Sequence, residues 1–274
     1  MRIIRGRKAL VTGAASGIGR AIALELAREG ADLFLLDINA EGLEAAAREA
    51  RGHGVEVVTD ICDLAEPAEI SASVKRLLAA WGRLDILINN AGLSYYGETH
   101  FMTEAQWRRI MAVNLLAPIQ LFRELLPTLA AADEAHVLNV CSMFGLAPWR
   151  KVAAYQTSKH GLVGFTAALS AEYRRDNFGV TALCPGFVQT ALLDEMPTDG
   201  VGERRTVPSW ICATPEQVAV KAVRAIRKNR AIVVITPVAH LHWRLTRLCP
   251  SLVWWMLREG WRRRGKVSVQ ATNP

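Results

Sequence analysis

The chain has 274 residues, 51% hydrophobic and 22% charged, a globular rather than a disordered composition. Five scattered cysteines with no CxxC pair argue against a structural zinc site and a secreted disulfide framework, and no run of eighteen uninterrupted apolar residues offers a membrane span. The net charge of +7 is local: from Val238 to Pro274 seven basic residues face Glu259 alone, so the tail carries +6 and the body is nearly neutral.

In chain order, apolar β-rich runs alternate with helical stretches. A strand is expected at Lys8–Thr12, then a helix over Gly17–Glu29, a strand at Asp32–Asp37 and a helix over Ala40–Arg51. The strand at Val55–Asp60 precedes a helix over Pro67–Trp81, and the strand at Leu84–Asn89 precedes one long helix over Thr103–Ala131. Strands at Ala135–Cys141 and Val180–Cys184 flank a helix over Val152–Asn177, and Pro215–Lys228 leads into a last strand at Ala231–Thr236. The Pro215 helix carries its own start signal, with Thr214 as cap, Pro215 at the first position and Gln217 completing a capping box. Such alternation specifies βαβ units. Continuous apolar strands specify helices on both faces. The fold expected is α/β, one Rossmann-like doubly wound parallel sheet of seven strands over residues 1–236, followed by a helical C-terminal extension, 237–274. The irregular stretch near 187–213 reads as a functional loop. The first strand-like run begins near Lys8, leaving no room for a leader, and together with the cysteine pattern this points to the cytoplasm.

The first strand runs into Thr12-Gly13-Ala14-Ala15-Ser16-Gly17-Ile18-Gly19 as a helix opens. Glycines there let the backbone turn tightly and approach a pyrophosphate, and the helix start supplies free N–H groups. Asp37 closes the next strand eighteen residues past Gly19. A carboxylate at that point accepts both ribose hydroxyls and repels a 2′-phosphate, which favours NAD(H) over NADP(H).

These residues resemble the short-chain dehydrogenases/reductases, whose Thr-Gly-x-x-x-Gly-x-Gly spacing is the one present here. The likeness extends over about Lys8 to Thr236. It implies that Asp60 and Ile61 contact adenine, that Asn89, Asn90, Ala91 and Gly92 support the sheet and line the adenosine pocket, and that Pro185, Gly186, Val188 and Thr190 form the turn at the nicotinamide carboxamide. Gly13, Ser16, Gly17, Ile18, Gly19 and Asp37 complete the cofactor set.

Tyr155 and Lys159 lie one helical turn apart on one face. A phenol is a poor base at neutral pH, and an adjacent ammonium favours phenolate, moving its pKa toward the working range. Ser142 follows a strand at the carboxyl edge where α/β ligands bind, thirteen residues before Tyr155. That spacing and Asn114 both match the family. By this resemblance Tyr155 exchanges the proton, Lys159 also holds the nicotinamide ribose, Ser142 stabilises the reacting oxygen and Asn114 holds a relay water. No metal is required for such chemistry. An NADPH-dependent carbonyl reductase and a non-catalytic NAD(H) sensor are the competing readings.

The substrate pocket is expected between Leu93–Tyr96, Met143–Trp149 and the loop Phe187–Ala213, with Tyr95, Tyr96, Met143, Phe144, Trp149, Phe187, Leu192, Leu193, Met196 and Trp210 as its walls. Such a lining suits an apolar alcohol or ketone. The resemblance also implies a homodimer or homotetramer through the two long helices. The tail holds four of the eight tryptophans beside its arginines, so it reads either as an arm packed on the enzyme or as a peripheral membrane contact. Nucleic acid is not an expected partner.

Overall fold

A computed structural model describes residues 1, 3–190 and 208–262. Seven parallel strands form one sheet: β1 (Lys8–Thr12), β2 (Asp32–Asp37), β3 (Val57–Ile61), β4 (Ile86–Asn89), β5 (Ala135–Val140), β6 (Phe178–Pro185) and β7 (Ile232–Ile235). Their spatial order is β3-β2-β1-β4-β5-β6-β7, so the chain reverses its direction across the sheet between β1 and β4. A crevice opens at the carboxyl ends of the strands at such a reversal.

The two-residue period of each strand divides its apolar side chains between two cores. Ala9 and Val11 of β1 and Leu33 and Leu35 of β2 face one core, built with α1 (Gly17–Arg28), α2 (Ala40–Arg51) and α7 (Pro215–Arg227). Leu10, Phe34 and Leu36 face the other, built with α3 (Pro67–Trp81), α5 (Ala117–Ala131) and α6 (Ala153–Tyr173). Burial on both faces is why these strands lack polar alternation.

The expected long helix over Thr103–Ala131 is instead broken. Thr103 and Gln106 form a capping box for α4 (Glu104–Met111), a π turn follows at Ala112–Leu116, and α5 resumes at Ala117. Pro118 has no N–H to donate to the Asn114 carbonyl, the bond an α-helix would make there, and the backbone widens at that point. By length and hydropathy Glu104–Ala131 passes the test for a membrane-crossing helix, but 44% of its most apolar stretch is buried inside the protein. Strand limits also move: β3 starts two residues late because Val55 and Glu56 only lead into the ladder, and β6 extends to Pro185 through pairing with β7.

Two helices follow β7: α8 (Pro237–Leu248) and α9 (Pro250–Arg262). Three cysteines, Cys62, Cys141 and Cys184, are buried as small apolar groups, whereas Cys249 is exposed between the two tail helices.

Candidate active site

The crevice at the strand reversal is a cavity of about 430 Å³. At one end lies the loop from β1 to α1. Gly13 holds φ at 66°, and a Cβ there would stand 2.8 Å from Asn90 Nδ2. Gly17 opens α1 with φ 53°, and Ser16 precedes it without a side-chain cap, so the first amides of the helix keep their donors. Thr190 Cγ2 lies 3.3 Å from where a Gly17 Cβ would be. Gly19 does not line the cavity. It packs beneath the loop, where a Cβ would overlap the Gly13 carbonyl oxygen. This bare backbone with unused helix amides fits a pyrophosphate.

Gly13, Ser16, Gly17, Ile18 and Asp37 all line the cavity. The Asp37 carboxylate accepts from the amides of Ala15 at 2.9 Å and Asn39 at 3.0 Å, so it is tied to the glycine loop at the end of β2. Among the lining residues the basic ones are Arg109, paired with Asp63 at 3.0 Å, and Lys159.

Besides Gly19, three expected cofactor residues do not line the cavity. Asp60 pairs with Arg76 at 2.8 Å and Ile61 is exposed at the end of β3; Cys62, Asp63 and Leu64, just beyond the strand, line the cavity instead. Asn89 is buried in the sheet, donating to Asn139 Oδ1 at 2.8 Å. Its neighbour Asn90 is the functional clasp: its side-chain amide donates to the carbonyls of Thr12 at 3.0 Å and Gly13 at 3.2 Å. Thr12 Oγ1 in turn accepts from the Asn90 and Ala91 amides, tying the end of β4 to the glycine loop. Ala91 and Gly92 line the cavity as expected. The shift from Asp60 and Ile61 to Cys62–Leu64 is one of register at the end of β3, while Asn89 and Asn90 divide the sheet and the loop between them.

At the other end stand Ser142, Tyr155 and Lys159, with Pro185, Gly186, Val188 and Thr190 closing the far wall. Ser142 leaves β5 in extended backbone, and its hydroxyl accepts from the Phe144 amide at 3.1 Å while lining the same wall as Tyr155. Lys159 Nζ donates to the Val140 carbonyl at 2.8 Å and sits 5.8 Å from the Tyr155 ring centroid. Burial lowers the lysine's pKa. The phenol moves opposite to the sequence expectation: burial pushes it up to about 12, the neighbouring Ser142 hydroxyl only partly opposing this. Asn114 does not reach the cavity. Its side chain accepts from the Leu93 amide at 2.7 Å and donates to the Leu93 carbonyl and to Ser158, so its amide is fully used in bracing the wall beside Lys159.

The aromatic wall is narrower than the sequence suggested. Phe144, Phe187 and Leu93 line the cavity, and Trp149 packs on Phe144 and Phe187 at 5.4 and 6.3 Å between ring centroids. Tyr95 and Met143 are buried in the core, Tyr96 is off the cavity, and Trp210 is exposed. Leu192, Leu193 and Met196 lie outside the described residues. His242 of α8, absent from the sequence reading, packs on Trp149 at 5.6 Å. Backbone pairing of Phe187 and Gln189 with Ala213 joins the two ends of the loop.

A family model described as short chain dehydrogenase matches residues 7–200. The granaticin polyketide synthase putative ketoacyl reductase 1 of Streptomyces violaceoruber is 39% identical over 190 residues, 69% of this chain and 70% of that protein. Dehydrogenase/reductase SDR family member 7B of Bos taurus is 33% identical over 261 residues, 91% of this chain and 79% of that one. Among solved structures, a single-substitution variant of actinorhodin polyketide ketoreductase with NADPH superposes with a TM-score of 0.76 at 30% identity, covering 86% of this chain and 98% of its own. An alcohol dehydrogenase from Thermococcus sibiricus with 5-hydroxy-NADP gives a TM-score of 0.74 at 25% identity, covering 86% and 98%.

Proposed function

The chain belongs to the short-chain dehydrogenase/reductase family of oxidoreductases, and from that premise we propose that it reduces an apolar ketone with NADH, Tyr155 giving the proton. The observation that carries this is the convergence of Ser142, Tyr155 and Lys159 on one wall of the cavity whose other end is the glycine loop.

The nicotinamide would supply the hydride. The rest falls to this chain's residues. The Gly13–Gly17 loop and the start of α1 would hold the pyrophosphate, Asp37 the ribose hydroxyls, and Thr190 and the Pro185–Gly186 turn the carboxamide end. The substrate oxygen would sit between Ser142 and Tyr155, where two hydroxyl donors stabilise the negative charge that grows on it. A phenol held up to about 12 is protonated throughout the neutral range, which makes it an acid ready to donate. Lys159 then offsets the phenolate left behind. Asn114 acts as a positioning residue, holding Leu93 and Ser158 so that the Lys159 ammonium keeps its place. Residues 1–236 serve as the catalytic unit and assemble as a homodimer or homotetramer.

The preference for NADH rests on Asp37 and on a cavity whose basic groups are Arg109 on α4, paired with Asp63, and Lys159 on α6, bonded to the Val140 carbonyl. The NADP-bound relatives support the second reading, an NADPH-dependent reductase. Loss of absorbance at the reduced nicotinamide band, with a panel of aliphatic, cyclic and aromatic ketones, tests both: turnover faster with NADH supports the first, faster with NADPH the second. No turnover with either cofactor overturns the enzyme assignment in favour of a sensor.

A further inference from the structure

We propose that the helical hairpin α8–α9 is a docking surface for an anionic lipid bilayer. The hairpin has two distinct sides. On the inner side Ala239 and Val253 are buried, and Trp243 packs against the core beside Phe187. On the outer side the largest apolar groups face solvent: Leu241 is 61% exposed, Leu248 78%, Trp254 63% and Trp255 58%. Leu252 and Met256 extend the same exposed surface. Exposed apolar area concentrated on one short hairpin marks an interaction site rather than chance.

The arginines decide what the surface meets. Arg244, Arg247 and Arg258 are exposed among these apolar groups, and in sequence Arg262, Arg263, Arg264 and Lys266 follow. The region carries +6 of the chain's +7, with Glu259 its one acid. A second copy docked through the same patch in a twofold contact would set like charge on like charge. An anionic bilayer provides the complement: phosphate headgroups for the guanidinium groups, and an interfacial layer that tryptophan, apolar in body with a polar N–H, favours. None of this depends on the catalytic reading, because the matched site residues all precede Val238.

Cosedimentation of the full chain with vesicles tests it, using phosphatidylcholine alone and phosphatidylcholine with phosphatidylglycerol. Binding is expected to the anionic vesicles at low salt, to weaken as salt rises, and to be slight on phosphatidylcholine alone. Trp254→Ala with Trp255→Ala should lower the partition coefficient by about tenfold or more. Each of Arg244→Gln, Arg247→Gln and Arg258→Gln should lower it about fivefold. The tryptophan pair, Arg244 and Arg258 variants should keep the wild-type melting temperature, since these side chains are exposed, whereas Arg247 also stacks on Trp243 at 5.6 Å. Absence of binding to anionic vesicles at low salt overturns the proposal. So does binding that the tryptophan pair leaves unchanged, which would be adsorption by charge alone. A drop in oligomer size in the tryptophan variant, without vesicle binding, would assign the hairpin to a second copy instead.

Discussion

At one end of the cavity the protein offers backbone, and at the other it offers side chains. The nucleotide end is a turn between β1 and α1 in which Gly13 and Gly17 take positive φ and leave helix amides open. The turn itself lies within eight consecutive residues, Thr12 to Gly19, with Asp37 and Asn90 reaching it from β2 and the end of β4. The substrate end is assembled from Ser142 after β5, Tyr155 and Lys159 on α6, Phe187 after β6 and His242 on α8, segments that meet only when the sheet is complete. Local chain geometry makes the first, and long-range packing makes the second. The first should therefore fail through shape, and the second through chemistry and fit.

The largest effect should come at Tyr155, where chemistry alone is removed. Tyr155→Phe keeps the ring and its packing on Phe144 but loses the proton, so kcat should fall about 10²–10⁴-fold. Binding of reduced cofactor, followed by its fluorescence, should persist; a variant with wild-type turnover would end the assignment.

Shape is tested at Gly19. An alanine Cβ there meets the Gly13 carbonyl and the Asn90 amide, so Gly19→Ala should cost about 1–3 kcal/mol, read as a lower melting temperature, and should weaken cofactor binding. If the variant melts like the wild type, the loop is not the tight cradle described above.

A third measurement concerns the scaffold both ends share. His136 on β5 is fully buried, bonded to Thr181 at 2.9 Å through Nε2, with Nδ1 unpartnered against Gly179. Burial lowers its pKa from 6.5 to about 3. The folded state thus refuses a proton that the unfolded chain accepts, so this contribution to stability is present above about 6.5 and fades as pH falls toward 3. Chemical denaturation should show a loss of about 1.4 kcal/mol per pH unit within that window from this group. A flat profile there, after correction for the carboxylates, would contradict it.

Smaller changes separate the two ends. Asp37→Ala should raise kcat/KM with NADPH relative to NADH by about tenfold, the effect of removing one repulsive charge worth about 1.4 kcal/mol. Wild-type enzyme that uses both cofactors equally would remove the basis for that expectation. Trp149→Ala opens the aromatic wall without touching the nucleotide end, so KM for bulky apolar ketones should rise severalfold while the KM for NADH holds. A matching rise in both would mean that the wall supports the whole cleft.

Much of this molecule was legible before its structure. Strand and helix order, the glycine turn, Asp37, and the Tyr155–Lys159 pair all rest on local periodicity or on spacing within one element, and these survive folding with little change. The misread positions have a common cause. Asp60 and Ile61 were expected at the cleft and Cys62 to Leu64 line it instead, because where a strand ends is decided by pairing with its neighbours, and a shift of one residue turns a side chain from the cleft into the sheet. The break at Asn114 had a signal in Pro118, but a proline early in a long apolar run can also start a helix.

The sequence by itself determined the parallel sheet, its two helical layers, the glycine turn and the one-turn spacing of Tyr155 and Lys159, because each follows from covalent geometry or short-range pattern. Tertiary structure alone decided that the Tyr155 phenol is pushed up rather than down, since burial dominates there and the Lys159 ammonium is turned to the Val140 carbonyl. It also decided which aromatics face the cavity, that His242 from beyond the last strand packs on its wall, and that the tail turns one helix face inward and leaves leucine, tryptophan and arginine outside. Burial and long-range contact are properties of the packed chain, and no local pattern encodes them.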